Sequence, residues 1–576
     1  MSGTTPRVWA PRAHAVSLAL DTERRPMRPV GGDWFEADLE LPPGARYGFA
    51  LDGGDEVLPD PRSPSQPDGV HGRSATVDHE AFAWTDAGWH APALRDAVIY
   101  ELHVGTFSEA GTFDGAVGHL DDLVDLGVTH LELMPVVEFS GDRGWGYDGV
   151  DLFAPHHAYG GPEGLRRLVD AAHARGLAVL LDVVYNHLGP EGNYLERFGP
   201  YFTERHHTPW GPAVNFDDRG SHEVRRFVVD NAVGWLRDYH VDGLRIDAMQ
   251  AIVDMSAVHI GEELTAAVHA LGEQLGRPLV VTAESDLNDP KLVRPVRLGG
   301  YDMDAAWADD VHHAFHVALS GEQHGYYADF TDEGALARAL AEPYLYDDRF
   351  SAARGRRHGR PAGDIAGNRF IACLQNHDQV GNRARGERLA HLVSDGRARI
   401  GAALLLTAPY VPLLFTGEEW GATTPFLYFS GHEDQELART IVDARLAEFA
   451  ELGWDPAAIS DPQDPATVEA CRLDWSERRA APHDSLLEWY RACIALRRSE
   501  PALRDGDRSA VEVDGDARGR LIVRRGPIAV AVNLGQASVA DGLEGRVRLA
   551  WPPELATVDG AERRLPPDGV IIVDDR

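Results

Sequence analysis

The stretch "DGLRIDA", residues 242–248, decides the fold. Leu244 and Ile246 alternate with Arg245 and Asp247, and in a strand that alternation puts the arginine and the aspartate on one face. A buried carboxylate without a partner costs several kcal/mol, so an arginine beside it is the least compensation such a strand needs. A charged pair at the end of an apolar strand asks for a chemical job.

Around this run, apolar strands alternate with amphipathic helices. The strand candidates are "AVIYELHV" (97–104), "THLELMPV" (129–136), "LAVLLDVVYNH" (177–187), "DGLRIDA", "PLVVTAES" (278–285), "AAWADD" (305–310), "FIACLQNHD" (370–378) and "VPLLFTGEE" (411–419). Val117, Leu120 and Val124 keep helical spacing between the first two, with Gly127 as the stop. Val224, Phe227, Val228 and Trp235 mark another apolar helical face. Eight such strands with intervening helices predict an α/β fold, a (β/α)8 TIM barrel with long insertions over residues 93–505.

The flanks read differently. Residues 1–92 alternate short β-type runs ("AVSLAL", "WFEADLE", "YGFALDG") with turn residues, which predicts an N-terminal all-β sandwich, carbohydrate-binding-module-like. "DPRSPSQPDGVHGRS" (60–74) reads as a loop. Residues 506–576 return to β texture ("AVEV", "GRLIVRRG", "IAVAVNL", "RVRLAW", "GVIIVDD") and predict a C-terminal β-sandwich. Trp9 and Trp34 are expected in the core of the first sandwich.

The chain of 576 residues is too long for one ordinary core. Its net charge is -36, and Lys291 is the sole lysine among 55 basic residues. Such acidity disfavours nucleic acid and anionic membranes and suits a neutral substrate. With neither a basic and apolar leader nor a membrane-length apolar run, the expected location is cytoplasmic. Cys373, Cys471 and Cys493 are scattered and odd in number, so they are expected as small buried hydrophobes.

Asp247, Glu284 and Asp378 stand at the ends of candidate strands four, five and seven. Any one alone could be a salt-bridge partner, but three in order on one rim point to a shared pocket. Glycosidic hydrolysis through a covalent intermediate needs a carboxylate nucleophile and a carboxylic acid about 5 to 5.5 Å apart. Arg245 would favour the ionised form of Asp247 and aim it. Glu284 must stay protonated long enough to donate, which calls for a less polar setting.

"DVVYNH" (182–187), "GLRIDA" (243–248), "TAES" (282–285) and "QNHD" (375–378), with "VWAPRA" (8–13) and "LLFTGEEWG" (413–421), resemble the ordered sequence regions of the α-amylase family of glycoside hydrolases. The resemblance covers nearly the whole chain. It implies Asp247 as nucleophile, Glu284 as general acid/base and Asp378 as transition-state stabiliser. It also implies that His187, Arg245 and His377 line the subsite of the sugar under attack, with Tyr147 of "WGYDG" stacking on it. Longer stretches, such as "TPWGPAVNFDD" (208–218) and "QNHDQVGNRARGERL" (375–389), resemble the members that cut the α-1,4 bond next to the terminal trehalose of maltooligosyltrehalose. That likeness implies Asp309, Asp310, Gln379 and Asn382 as sugar contacts, α-1,4-glucans as related substrates, and functional coupling to a maltooligosyltrehalose synthase. Gln250 stands where many members have histidine, which bears on one substrate contact. A branching or debranching enzyme with the same machinery, and a catalytically dead glycan-binding relative, are the alternatives.

No metal and no cofactor are expected. The pairs His156-His157, His206-His207 and His312-His313 invite a metal reading, but adjacent histidines on a strand face opposite ways and no HExxH spacing occurs. Asn186 resembles a calcium-ligating position in some relatives, a weak match. Trp145, Tyr147, Trp210 and Trp307 are candidate stacking platforms for sugar rings, with core packing the better reading of Trp307.

Overall fold

The computed structural model describes residues 3–451, 459–558 and 563–575. The outermost ends of the two flanking segments, residues 1–2 and 576, lie outside it. All eight apolar runs become strands of one closed parallel barrel: β1 (Ile99–Leu102), β2 (His130–Leu133), β3 (Ala178–Val183), β4 (Gly243–Ile246), β5 (Val280–Ala283), β6 (Ala305–Trp307), β7 (Phe370–Cys373) and β8 (Val411–Phe415). β8 pairs back onto β1, with Phe415 opposite Glu101.

Two layers fill the barrel. Ile99, Leu180, Trp307, Ile371, Cys373 and Leu413 form an apolar floor. Two residues further along their strands, and so on the same face, Glu101 and Asp182 enter a charged upper layer with Glu132 and Arg245. Glu132 stands opposite Glu101, and Arg245 opposite Asp182. Charge therefore collects at the strand ends, where a barrel of this kind carries its chemistry.

The helix Ser221–Asp238 buries Val224, Phe227, Val228 and Trp235 as their spacing requires. Between β1 and β2 the single apolar face expected from Val117, Leu120 and Val124 is corrected. Two short helices, Phe113–Val117 and Leu120–Leu126, meet at Gly118 and His119. That break rotates the second helix, so Leu123 and Leu126 join Leu120 in the core and Val124 faces solvent. Gly127 ends this helix with φ +100°, a conformation that glycine adopts without cost.

In the N-terminal segment, Val16–Ala19, Arg24–Pro26, Arg46–Leu51 and Ser74–Ala75 form one sheet, and Arg7–Trp9, Arg28–Gly31 and Trp34–Glu36 another. "WFEADLE" is a strand only as far as Glu36. Trp9 is buried and meets Tyr201 of the barrel segment edge-on at 5.5 Å. Trp34 is half-buried, with the guanidinium groups of Arg7 and Arg62 against its ring.

All five expected C-terminal strands form one antiparallel sheet in the order Val511–Gly515, Arg520–Arg525, Ile528–Asn533, Val570–Asp574, Arg546–Trp551. One face packs Val523, Val530 and Ile572 into the main core. The other packs Ile522, Ala531 and Ile571 against the short pair Val539–Ala540 and Arg564–Leu565. The three cysteines are buried, and no helix among the described residues is long and apolar enough to cross a membrane.

Two buried arginines join the barrel to this sheet at the end of the helix Asp395–Thr407. Arg497 donates to the carbonyls of Leu406, Ala408 and Tyr410, and Arg525 of the sheet to those of Thr407 and Leu503. They satisfy carbonyls that a helix end leaves unpaired. Burial pushes the Arg497 guanidinium down to about 9. Arg497→Met keeps the stem but strands buried acceptors, so a loss of at least ~2 kcal/mol in denaturant unfolding is expected.

Candidate active site

At the C-terminal mouth of the barrel lies a cavity of about 590 Å³. Asp247 and Glu284, the residues that directly follow β4 and β5, line it with Asp378 from the short helix His377–Gly381 after β7. Of the other residues expected in the site, Tyr147, His187, Gln250, His377 and Asn382 also line it.

Arg245 lies beneath, almost fully buried. Its Nη1 is 2.8 and 2.7 Å from the two oxygens of Asp182 and 2.8 Å from Asp247 Oδ1. Its Nη2 lies 2.9 Å from Glu284 Oε2, off the N–H direction, so that contact is an ion pair without an aligned hydrogen bond. One guanidinium thus touches three carboxylates, with its Cζ 4.5 Å from the Trp307 ring centre. Trp307 is buried in the barrel core, as expected from its sequence context. The remaining oxygen of Asp247, Oδ2, accepts from Asn186 Nδ2 at 2.7 Å. Asn186 therefore holds the candidate nucleophile here, and its Oδ1 takes His187 Nδ1.

Ala248 follows Asp247 in the left-handed region, φ +41°, and its amide donates to Glu284 Oε2 at 2.9 Å. The turn after β4 thereby places the two candidate catalytic carboxyls beside each other. Burial raises Glu284 above its ordinary range, Asp247 adds to this, and Arg245 opposes it. Burial also raises Asp378, whose Oδ1 accepts from Asn382 Nδ2 at 2.5 Å. Burial pushes Asp182 up to about 7 against the pull of Arg245.

Arg245→Lys keeps one charge but has a single point from which to hold three carboxylates. The expected result is a fall in kcat of roughly 10²-fold, the scale of an ångström of misplacement, measured on purified protein at neutral pH.

Tyr147 and His377 form one wall, their rings stacked at 5.1 Å. The Trp210 ring, 53% exposed at the tip of a hairpin after β3, lies parallel to that of His187 at 4.4 Å. Trp145 is buried against Phe426 and bonded to the Leu427 carbonyl.

Asp309 is not on the cavity wall, but burial first, and then the charges of Glu284 and Asp378, raise its carboxyl well above the ordinary value. Asp310, expected as a sugar contact, points elsewhere: its Oδ2 accepts from Asn288 Nδ2 and the amides of Leu345 and Tyr346. It anchors the insertion after β6, because successive residues of a helix point about a quarter-turn or more apart. Gln379 likewise lies off the wall, its Oε1 buried. Arg445 of the helix Gln435–Glu451 lines the cavity instead, donating to Asn382 Oδ1 at 2.8 Å and Gly381 O at 3.0 Å. No motif in its stretch could have shown this.

The histidine pairs also need correction. His156 and His157 sit at a turn, not on a strand, with rings stacked at 4.8 Å and both facing Glu138. Their site is filled by hydrogen bonds: His157 meets Glu138 through its amide and Nδ1, while His156 accepts from Ala158 N and bonds Gly141 O. His312 and His313 lie on the helix Asp309–Ser320 with their Nδ1 atoms 2.9 Å apart. His206 and His207 alone follow the strand argument.

Residues 1–63 match carbohydrate-binding module 48, the isoamylase N-terminal domain, and residues 65–209 match the α-amylase catalytic domain. The chain is 47% identical to a malto-oligosyltrehalose trehalohydrolase of Rhizobium sp., over 99% of this chain and 97% of that protein. It is 48% identical to one of Mycobacterium tuberculosis, over 95% of each. A crystal structure from Salmonella typhimurium, assigned as an α-amylase, superposes with a TM-score of 0.90 at 37% identity, covering 99% of this chain and 97% of the other. The chain belongs to the malto-oligosyltrehalose trehalohydrolase family, with a catalytic domain of the α-amylase type.

Proposed function

We propose that this protein is a retaining glycoside hydrolase that cleaves the α-1,4 bond next to the terminal trehalose of maltooligosyltrehalose, releasing trehalose and a maltooligosaccharide. The observation that carries the mechanism is the guanidinium of Arg245 shared between Asp247 and Glu284. Holding both carboxyls on one guanidinium supports the short separation that a covalent intermediate demands.

Asp247 attacks the anomeric carbon while Glu284 gives its proton to the departing glycosidic oxygen. Glu284 then takes a proton from water, whose oxygen displaces Asp247 from the sugar and restores both carboxyls. Asp378 stabilises the positive charge that develops on the ring. His187, Gln250 and Asn382 line the sugar's path, with Tyr147 under the ring. The protein acts in the cytoplasm, coupled to a maltooligosyltrehalose synthase that caps the glucan.

Separate incubation with maltotetraosyltrehalose and a plain maltooligosaccharide of similar length, followed by chromatography, tests this. Free trehalose from the first with little cutting of the second is expected. Comparable cutting of both, or transfer products, would replace the reading with a broader amylolytic or branching activity.

A further inference from the structure

We propose that Glu101 is a positioning residue for the hydrolysis: it holds His377 as an imidazolium, and through that ring ties the Asp378 side of the cleft to the hydrogen-bonded partners of Asp247. The inference rests on the hydrolase reading and deepens it.

Counting donors fixes the state of the ring. Glu101, on β1 and 2% exposed, accepts the His377 amide at Oε2 (2.9 Å) and faces Nδ1 with Oε1 (2.5 Å). Nδ1 therefore carries a proton. The other nitrogen, Nε2, is 2.8 Å from the Tyr147 hydroxyl, which donates its own proton to Asp182 Oδ2 at 2.6 Å. Both oxygens of Asp182 already take Arg245 Nη1, so Tyr147 is the donor there and must accept from Nε2–H. With a proton on each nitrogen, the ring is a cation. The chain of contacts then runs from Glu101 through His377, Tyr147, Asp182 and Arg245 to Asp247.

The other groups facing His377 divide. Burial alone would lower the imidazole, and Arg245 also opposes the charge. Glu101, by charge and hydrogen bond, and then Asp378 outweigh them and carry the ring up to about 9. Asp182, Glu284 and Glu132 also feel the ring's charge, which lowers each of them. His103 is bonded to the Gly144 carbonyl and pushed by burial down to about 4, so it does not compete as a cation.

Glu132 supplies the contrast. It stands in register beside Glu101, equally buried, but touches no cation, and its Oε2 has no hydrogen-bond partner. Burial first and the Glu101 charge second raise it well above the ordinary range, which favours its neutral form.

The same substitution at these neighbours should have unequal effects. In Glu101→Gln the amide oxygen can accept from the His377 backbone while the amide NH₂ donates to Nδ1. The ring stays in place, Nε2–H still meets Tyr147, and only the charge is lost. The expected result at neutral pH is a kcat at least roughly tenfold lower on maltotetraosyltrehalose. Its alkaline limb should move down by about one pH unit or more, because the freed imidazole titrates near or below its ordinary value. Glu132→Gln, neutral for neutral, should stay within about twofold of wild type with an unchanged profile. Superimposable profiles for Glu101→Gln and wild type, or equal losses in the two variants, would overturn the proposal.

A measurement on the wild type needs neither a variant nor substrate. The far-downfield proton resonance of an imidazolium–carboxylate hydrogen bond should persist until the pH approaches about 9. Its absence, or its loss near the ordinary histidine value, refutes the assignment whether or not the protein proves to be a hydrolase. A wild type that leaves the capped glucan intact would instead refute the function.

Discussion

Asp247→Asn is expected to abolish turnover of maltotetraosyltrehalose while leaving the unfolding transition in place. The amide is nearly isosteric, can keep its one oxygen on Arg245 while giving up the Asn186 Nδ2 contact, and cannot attack the anomeric carbon. Removing a nucleophile that works as part of a unit costs up to about 10⁶ in kcat. Residual activity within a factor of about ten of wild type would remove Asp247 from that role. The fold control matters because Arg245 would keep Asp182 and Glu284 but lose one anion, so thermal unfolding should be recorded beside the rate.

Glu284→Gln should show its effect through the leaving group. On the natural glucan the departing oxygen is poor and needs a proton, so a loss of about 10²- to 10⁴-fold is expected. On aryl glycosides whose phenolate leaves without help, the first step should be affected far less. Equal losses on both substrates would count against the acid assignment. The pH dependence has a definite sign. Burial raises the Glu284 pKa, so the protonated form survives into higher pH than an ordinary carboxyl allows, and activity falls as pH rises through that raised value. In Glu284→Gln the part of this limb that Glu284 sets should disappear, because the amide has no proton to lose, leaving only the fall that His377 sets at about 9.

Much of this protein is legible in its sequence. Eight apolar runs, each a few residues long and each ending in polar groups, specify a parallel barrel. Strands buried on both faces are mainly apolar, and their ends are where the fold meets solvent. Asp247 and Glu284 could be placed because the period of two in a strand, and the residue just past its end, translate directly into a direction in space; Asp378, expected at the end of strand seven, instead sits five residues past that strand's end at Cys373, in the short helix His377–Gly381. Tyr147, His187, His377 and Asn382 could be named from the likeness of their motifs to known ones. The five C-terminal strands were readable from alternation.

What the tertiary structure alone decided is which side chains meet. Asp309 and Asp310 are neighbours in an acidic doublet, yet the helix they begin turns Asp310 into the anchor of an insertion. Val124 has the right spacing, but the break at Gly118 and His119 rotates it into solvent. His156 and His157 share a face because a turn, not a strand, carries them. Glu101 and His377 are separated by almost the whole barrel in sequence and touch only because β7 and β8 close the circle onto β1. Local periodicity sets the conformation of a segment, which short-range sterics and burial determine. Pairing of charges across the barrel depends on closure, and closure is a property of the whole chain.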